Sequence, residues 1–330
     1  MKRLVIAPSW LGDGVMAIPF LRAVKRSDPE GTLAVLARPS VAPIFPMTGV
    51  VDAVWKSRGR DVAGFARDVL AGRRERPEEI WVLPHSFRSA LLARAIGARR
   101  RLGYRGEGRD FLLTHSAPRP PAMLHQLRDE DALLALGGIA PDGGPPRLTI
   151  PPAPAAAAAR ELERHQLAGA PGPVLLAPGA AFGPTKLWPA ERFALLADAL
   201  LDRGHRAALA IGPAEVELGM LIARRARHRL PILGADLHTG ELAALLAQAR
   251  LLIGNDSGPA HLAAAVGTPS VVFYGPTDPG RTSPSGSPSL ALDRYVFCSP
   301  CYLKKCPYQH ECMEEITVEM ALEAALSFLQ

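Results

Sequence analysis

Aromatic residues are scarce in this chain, at 6% of 330 residues, and its only four cysteines all lie within residues 298–312. The sequence also lacks zinc-finger, helix-turn-helix and RNA-platform patterns, so a nucleic acid is not an expected partner. No stretch approaches the roughly 18 uninterrupted apolar residues of a membrane span, and the five-residue apolar run after Met1-Lys-Arg is shorter than a signal peptide. We therefore expect a cytoplasmic protein.

Apolar residues are plentiful, at 48% of a chain about twice as long as a typical domain, which predicts two domains. Positive charge is concentrated in the first half. Residues 1–150 carry 23 Lys or Arg and 15 Asp or Glu, whereas residues 151–330 carry 15 and 17. A basic face is compatible with an anionic membrane surface, an acidic substrate or ordinary solvated arginines. The arginines concerned are Arg88, Arg99, Arg100, Arg101, Arg105 and Arg109.

Short apolar runs alternate with helical periodicity along the chain, which predicts parallel sheets covered by helices on both faces. Residues 141–146 and 151–154 are rich in proline and glycine, where neither a helix nor a strand continues easily. We therefore predict an α/β fold of two facing doubly wound domains, residues 1–150 and 151–330. The runs expected to be strands are 4–7, 33–37, 80–83, 174–177, 207–211, 251–253 and 270–274.

The segment 251–261, Leu-Leu-Ile-Gly-Asn-Asp-Ser-Gly-Pro-Ala-His, combines an apolar run, polar side chains and the start of an Ala-rich helical pattern. The N-terminus of such a helix presents backbone N–H groups to an anion, which is how α/β proteins hold phosphate. The next apolar run, 270–274, opens into a second Gly/Pro-rich loop. Loops at the carboxyl ends of neighbouring parallel strands line one ligand site.

Asp13 lies in the Gly-flanked turn Leu11-Gly-Asp-Gly14, after the first predicted strand. A carboxylate there can accept a proton from a hydroxyl nucleophile. The alternative is that Asp13 only caps the following helix, since Asp is favoured at that position. The turn lacks the G-x-G-x-x-G spacing of dinucleotide-binding proteins, which removes the main support for a hydride-transfer enzyme.

Lys186 is a lone cation in the Gly/Pro-rich segment 178–189, and His261 lies on the first turns of the helix that begins near Gly258. A lysine ammonium beside backbone donors suits a diphosphate whose charge grows as it leaves, and a histidine near a helix N-terminus adds a donor. The alternatives are a surface lysine and a structural histidine. The P-loop spacing G-x-x-x-x-G-K-[ST] is absent.

The four cysteines, Cys298, Cys301, Cys306 and Cys312, have the spacing C-x2-C-x4-C-x5-C. Their number and the leading C-x2-C suit a closed zinc site, but the second pair lacks zinc-ribbon spacing. Reduced thiols that pack a Pro-rich loop are the alternative, and no disulfide is expected in the cytoplasm.

Five motifs in order resemble those of bacterial ADP-heptose:lipopolysaccharide heptosyltransferases (glycosyltransferase family 9), particularly the heptosyltransferase II type. The likeness covers nearly the whole chain. The motifs are Pro-Ser-Trp-Leu-Gly-Asp at 8–13, Pro-Gly-Ala-Ala-Phe-Gly-Pro-Thr-Lys-Leu-Trp-Pro at 178–189, Asn-Asp-Ser-Gly-Pro-Ala-His at 255–261, Tyr-Gly-Pro-Thr-Asp-Pro at 274–279 and Cys-Pro-Tyr-Gln-His at 306–310.

The resemblance implies a GT-B fold, in which two Rossmann-like domains face each other, the first binding the acceptor and the second the ADP-sugar donor. It leaves open that the last helix, about 316–330, packs back on the first domain. It implies an inverting transfer of heptose from ADP-heptose, with Asp13 as the catalytic base. The donor-binding positions that it implies are Thr185, Lys186, Asp256, Ser257, Gly258 and His261.

The implied acceptor is the Kdo/heptose-lipid A inner core at the cytoplasmic face of the inner membrane, which the basic first half would approach as a peripheral protein. No metal is required, although Mg²⁺ could assist, and no oligomeric state is predicted. Two other functions stay open at this stage. A sugar-nucleotide 2-epimerase would convert the donor without an acceptor, and a non-catalytic sensor would only bind it.

Overall fold

Two separate parallel sheets organise the chain in the computed structural model, which describes residues 1–59, 61–119 and 123–330. One sheet lies in the unit Met1–Leu148 and the other in the unit Thr149–Gln330. Every pair of neighbouring strands in both sheets is parallel, and helices connect them. The expected pair of doubly wound α/β domains is confirmed.

The first sheet has the strand order β3-β2-β1-β4-β5-β6. Leu4 and Val5 are fully buried, as a strand covered on both faces requires. The elements of this unit are β1 (Lys2–Ile6), α1 (Leu11–Met16), α2 (Ile18–Ser27), β2 (Thr32–Ala37), β3 (Ala53–Lys56), α3 (Val62–Glu75), β4 (Glu79–Val82), α4 (Phe87–Ile96), β5 (Arg100–Tyr104), β6 (His115–Ala117) and α5 (Asp131–Leu136).

The second sheet has the order β12-β11-β10-β7-β8-β9. Its core contains Trp188, Phe193 and Phe273, whose ring centroids lie 4.5–5.8 Å apart. The elements are α6 (Pro152–Arg164), β7 (Val174–Ala177), α7 (Ala190–Leu201), β8 (Ala207–Ala210), α8 (Val216–Arg225), β9 (Ile232–Leu233), α9 (Thr239–Ala247), β10 (Leu251–Asn255), α10 (Gly258–Val266), β11 (Ser270–Tyr274), α11 (Pro279–Thr282), β12 (Ser289–Asp293), α12 (Glu311–Glu314) and α13 (Val318–Leu329).

The two sheets have the same topology, since strands β7 to β12 follow one another as β1 to β6 do. In each sheet the chain order reverses between the first and fourth strands, β1 and β4 in one and β7 and β10 in the other. Ligands of open α/β sheets bind outside the carboxyl ends of the strands at such a reversal. The loops that follow these four strands are therefore the places to look for function.

The last helix, α13, packs on the second sheet. Ala321, Ala325 and Leu329 lie in the same core as Val174 and Leu251 of strands β7 and β10. Packing of residues 316–330 on the first domain, which the family resemblance left open, stays a prediction. None of the helices in the described ranges combines the length and apolar character that crossing a bilayer requires.

Gly254 allows close approach of the two strands at the reversal in the second sheet. It pairs with Ala177, and a Cβ added at Gly254 would lie 2.5 Å from the Ala177 carbonyl oxygen. Because that oxygen belongs to backbone, we expect Gly254→Ala to lower the free energy of unfolding by about 1–3 kcal/mol. Urea denaturation measures this change.

Gly212→Ala is the matched control, since its added Cβ would come no closer than 3.8 Å to Glu215. An unchanged free energy of unfolding for Gly254→Ala would contradict the close approach of β10 to β7.

Candidate active site

Asp13 lies on helix α1, which follows β1. Helix α1 begins at Leu11, and its N-cap residue is Trp10, so Asp13 is the third residue of the helix rather than its cap. The alternative that Asp13 only caps the helix is therefore wrong. Its Oδ1 accepts a hydrogen bond of 2.9 Å from Nε2 of Gln126, a residue that the sequence analysis did not single out. This bond orients the Asp13 carboxylate.

Asp13 lines a cavity of about 670 Å³ in the first unit. Segments that follow the two strands at the reversal, β1 and β4, contribute to its wall, as does the segment 126–130. The cavity therefore has carboxylates, basic side chains and an aromatic ring in its lining. Its other polar or aromatic lining residues are Ser9, Trp10, Arg38, His85, Ser86, Arg88, Gln126, Asp129 and Glu130.

Two titratable groups in this cavity are biased towards their neutral forms. Burial raises the pKa of the Glu130 carboxyl well above its ordinary value, and the charges of Asp129 and Asp13 raise it further. Burial lowers the pKa of His85, with added repulsion from Arg119 and Arg109. A neutral carboxylic acid and a neutral imidazole each have a donor and an acceptor, so Glu130 and His85 can both exchange hydrogen bonds with a ligand in the cavity.

In the second unit, Lys186 and Asp256 form an ion pair. Lys186 follows β7 and Asp256 follows β10, and the Lys186 Nζ lies 2.5 Å from Asp256 Oδ2 and 3.2 Å from the Asp256 carbonyl oxygen. Both side chains are largely buried, with exposed fractions of 12% and 4%. Asp256 Oδ2 also accepts a hydrogen bond of 2.7 Å from the Thr277 hydroxyl. Asp256 thus holds the loops in place, and Lys186 is fixed beside them.

Asn255 joins the same loops through its side-chain amide. The Asn255 Oδ1 accepts a hydrogen bond from the backbone N–H of Trp188, and its Nδ2 donates one to the Pro178 carbonyl, at 3.0 and 2.7 Å. The residue is fully buried. Asn255 therefore fixes both ends of the loop that carries Lys186.

Helix α10 begins at Gly258 with Ser257 as its N-cap. The Ser257 hydroxyl is buried and has no hydrogen-bond partner among the residues that the structure describes. His261 is also buried, on the first turn. Pro259 lacks an N–H group, so the Gly258 amide, the Ser257 hydroxyl, the His261 ring and the helix dipole are the groups at this end that attract an anion.

Thr185, beside Lys186, makes two hydrogen bonds to distant residues. It is buried, its hydroxyl donates a hydrogen bond of 2.7 Å to the Leu303 carbonyl, and its own carbonyl accepts one from Nε2 of His310. These partners come from the cysteine-rich segment. Thr185 thereby attaches residues 303–310 to the Lys186 loop, and its phosphate contact stays a prediction.

The four cysteines are free thiols. Across residues 1–59, 61–119 and 123–330, no group of three His, Cys, Asp or Glu side chains is placed to hold a metal ion, so the zinc alternative gains no support. Cys312 is buried in the core of the second unit. Burial raises the pKa of the Cys312 thiol to about 11, and the nearby Cys298, Cys301 and Cys306 add to the effect.

Comparison with known proteins identifies the family. The sequence profile of glycosyltransferase family 9 (heptosyltransferase) matches residues 73–311. The chain belongs to this family. It is therefore a glycosyltransferase, and the resemblance noted in its motifs is confirmed.

Relatives of this glycosyltransferase match over most of its length. It is 29% identical to lipooligosaccharide heptosyltransferase 2 of Haemophilus influenzae, over 98% of each chain. It is 30% identical to lipopolysaccharide heptosyltransferase 2 of Escherichia coli K12, over 86% of this chain and 85% of that protein. The solved structure of E. coli ADP-heptose LPS heptosyltransferase II superposes with a TM-score of 0.83 at 26% identity, covering 100% and 98% of the two chains. The GT-B fold class is confirmed.

Substitution of Glu130 tests its raised pKa. The folded protein holds the Glu130 proton at pH values where the unfolded chain has released it, so the carboxyl's contribution to stability falls as the pH rises. Gln cannot ionise. We therefore expect Glu130→Gln to gain stability relative to the unsubstituted protein between about pH 5 and pH 8, measured by urea unfolding.

Glu163→Gln, at an exposed position, controls for the exchange of a carboxylate for an amide. A stability difference for Glu130→Gln that stays constant across this pH range would contradict the assignment.

The raised pKa of Cys312 predicts slow alkylation. At pH 8 a thiol with a pKa of about 11 is about one-thousandth thiolate, the reactive form. We expect iodoacetamide to modify Cys312 of the folded protein at least about tenfold more slowly than Cys298, Cys301 or Cys306, all of which are partly exposed. Mass spectrometry of tryptic peptides measures the rates. Labelling in urea provides the control, and equal rates in the folded protein would refute the prediction.

Proposed function

We propose that this glycosyltransferase moves L-glycero-D-manno-heptose from ADP-heptose to the inner core of lipopolysaccharide, where it adds the second heptose. The observation that carries the proposal is family membership combined with the location of the matching residues at the two chain reversals. Asp13 lines a cavity at the first reversal, and Lys186 and Asp256 form their pair at the second.

Asp13 acts as the catalytic base in this proposal. Its carboxylate removes the proton from the acceptor hydroxyl as that oxygen attacks the anomeric carbon of the heptose. The bond between this carbon and the ADP oxygen breaks on the opposite face, so the configuration inverts. Gln126 supports the role, because its hydrogen bond to Oδ1 fixes the direction in which the carboxylate presents its lone pairs.

The donor diphosphate binds beside Lys186 and the first turn of α10. A lysine ammonium has three N–H donors, and Asp256 Oδ2 and the Asp256 carbonyl account for two of them. We assign the third to a phosphate oxygen. The Ser257 hydroxyl, the Gly258 amide and His261 complete the donor-binding set, and Asp256 acts by holding Lys186 in position. Together they balance the negative charge that develops on ADP as it leaves.

The acceptor is the Kdo/heptose-lipid A core, which the enzyme reaches as a peripheral protein on the cytoplasmic face of the inner membrane. Residues 1–150 carry an excess of eight positive charges, which favours an anionic lipid surface. Arg38 and Arg88 line the cavity of Asp13, where an acidic acceptor sugar would bind. The displacement itself needs no metal, and an assisting Mg²⁺ would appear as a rate that falls when EDTA is added.

Replacing Asp13 with Asn tests the mechanism. The amide preserves shape but accepts no proton, so we expect kcat to fall by about a hundredfold or more while binding of ADP-heptose stays within about twofold. Mass spectrometry of the product from ADP-heptose and defined truncated core acceptors measures turnover and identifies the sugar transferred. Asp236→Asn, at an exposed position of the second unit, is the matched control. Full turnover by Asp13→Asn would refute the base assignment.

The same assay without acceptor separates the other two functions. An epimerase would convert the donor alone, whereas a sensor would bind it and release it unchanged with or without an acceptor. The relatives named above carry the names of heptosyltransferases, which favours transfer.

A further inference from the structure

Three large apolar side chains are exposed together on the first unit. Phe87 and Leu91 are one turn apart on α4, and Phe111 lies in the short helical turn Asp110–Leu112 that packs against this helix. The ring centroids of Phe87 and Phe111 are 6.3 Å apart. Phe111 is 74% exposed, Phe87 40% and Leu91 38%. We name these three residues the apolar cluster.

The segment that carries the apolar cluster is strongly basic. Residues 86–119 contain eight arginines but only Glu107 and Asp110 as acids, which gives a net charge of +6. Some of the arginines are committed to the fold, since Arg100 pairs with Glu79 and Arg109 is fully buried. The exposed ones are Arg88, Arg94, Arg99, Arg105 and Arg119. Of these, Arg119 pairs with Glu107, and Arg88 lies over the Phe65 ring and donates to the Gly59 carbonyl. The apolar cluster therefore belongs to a segment rich in exposed positive charge.

The apolar cluster also adjoins the cavity of Asp13. Ser86 and Arg88, the residues on either side of Phe87, both line that cavity. A surface that contacts Phe87 therefore lies next to the cavity in which the acceptor would bind.

We propose that the apolar cluster and its exposed arginines dock on an anionic lipid bilayer. The proposal rests on the proposed function in one respect, which is that a lipid-linked acceptor enters the Asp13 cavity from the membrane. Its physical basis is independent of that function. Transfer of phenylalanine and leucine side chains from water to the headgroup boundary is favourable, and anionic headgroups attract arginine side chains.

A neutral protein surface or a second copy of the chain fits the cluster less well. A second copy would bring the same +6 segment against itself, and like charges at an interface repel. Charge complementarity therefore selects an anionic partner, and the exposed rings select one with an apolar interior.

The test is sedimentation of the full chain with vesicles of phosphatidylglycerol and phosphatidylethanolamine in equal parts, compared with vesicles of phosphatidylcholine. We expect binding to the anionic vesicles that weakens with added NaCl. Phe87→Ser combined with Phe111→Ser should weaken it by about tenfold. Leu195→Ser combined with Met220→Ser is the matched control, because it removes two apolar side chains of similar exposure from the second unit. We expect this control to bind normally.

Anionic-vesicle binding that is unchanged in the phenylalanine variant, or equally strong binding to phosphatidylcholine, would overturn the proposal. So would a chain that self-associates through Phe87 and Phe111 and ignores vesicles. An unchanged thermal unfolding midpoint shows that the double variant folds. If the double variant does not fold, Phe111→Ser alone takes its place in the test. Turnover supplies a second readout: the variant should lose activity on acceptor embedded in vesicles but retain it on acceptor stripped of its acyl chains. If the unsubstituted protein transferred no sugar in either assay, the proposed function would be rejected, but the vesicle-binding result would still test the docking proposal.

Discussion

A single carboxylate, that of Asp256, holds together the loops that follow three neighbouring strands of the second sheet. It pairs with Lys186 after β7, is itself attached to β10, and accepts the Thr277 hydroxyl after β11. Because Lys186 and Asp256 are both largely buried, loss of either charge leaves the other without compensation in a poorly hydrated site, which is strongly destabilising. The arrangement of the loops at this sheet reversal depends on that pair.

The sequence predicted the central strands well and the edges poorly. The seven apolar runs all correspond to strands, β1, β2, β4, β7, β8, β10 and β11. Five strands went unrecognised. Strands β3 and β12 are edge strands with half-exposed side chains, and the edge strands β6 and β9 have only three and two residues. The internal strand β5 was missed as well, because it begins with the partly exposed Arg100 and Arg101. Helix α13 has an apolar face that either sheet could have covered, so its periodicity could not say which one does.

Residues of the candidate site could be predicted where each lies in a local sequence motif. Asp13, Lys186 and Asp256 stand beside strand ends that the apolar runs mark. Gln126 contacts Asp13 from 113 residues away, in a stretch without helical or strand periodicity, and only the fold brings the two together. His85 was nearer to detection, because it directly follows the predicted strand 80–83 at the same sheet reversal. The hydrogen bond from the Thr185 hydroxyl to the Leu303 carbonyl could not be predicted, because no local pattern indicates a partner so far along the chain.

The shared strand order of the two sheets has a consequence for how the chain can diversify. Each unit completes its own hydrophobic core, and Asp13 belongs to the first unit whereas Lys186 and Asp256 belong to the second. Substitutions in the cavity wall around Asp13 therefore fall within residues 1–148, outside the unit that holds the Lys186–Asp256 pair. Exchange of one unit between relatives by recombination near residue 149 would leave both hydrophobic cores intact.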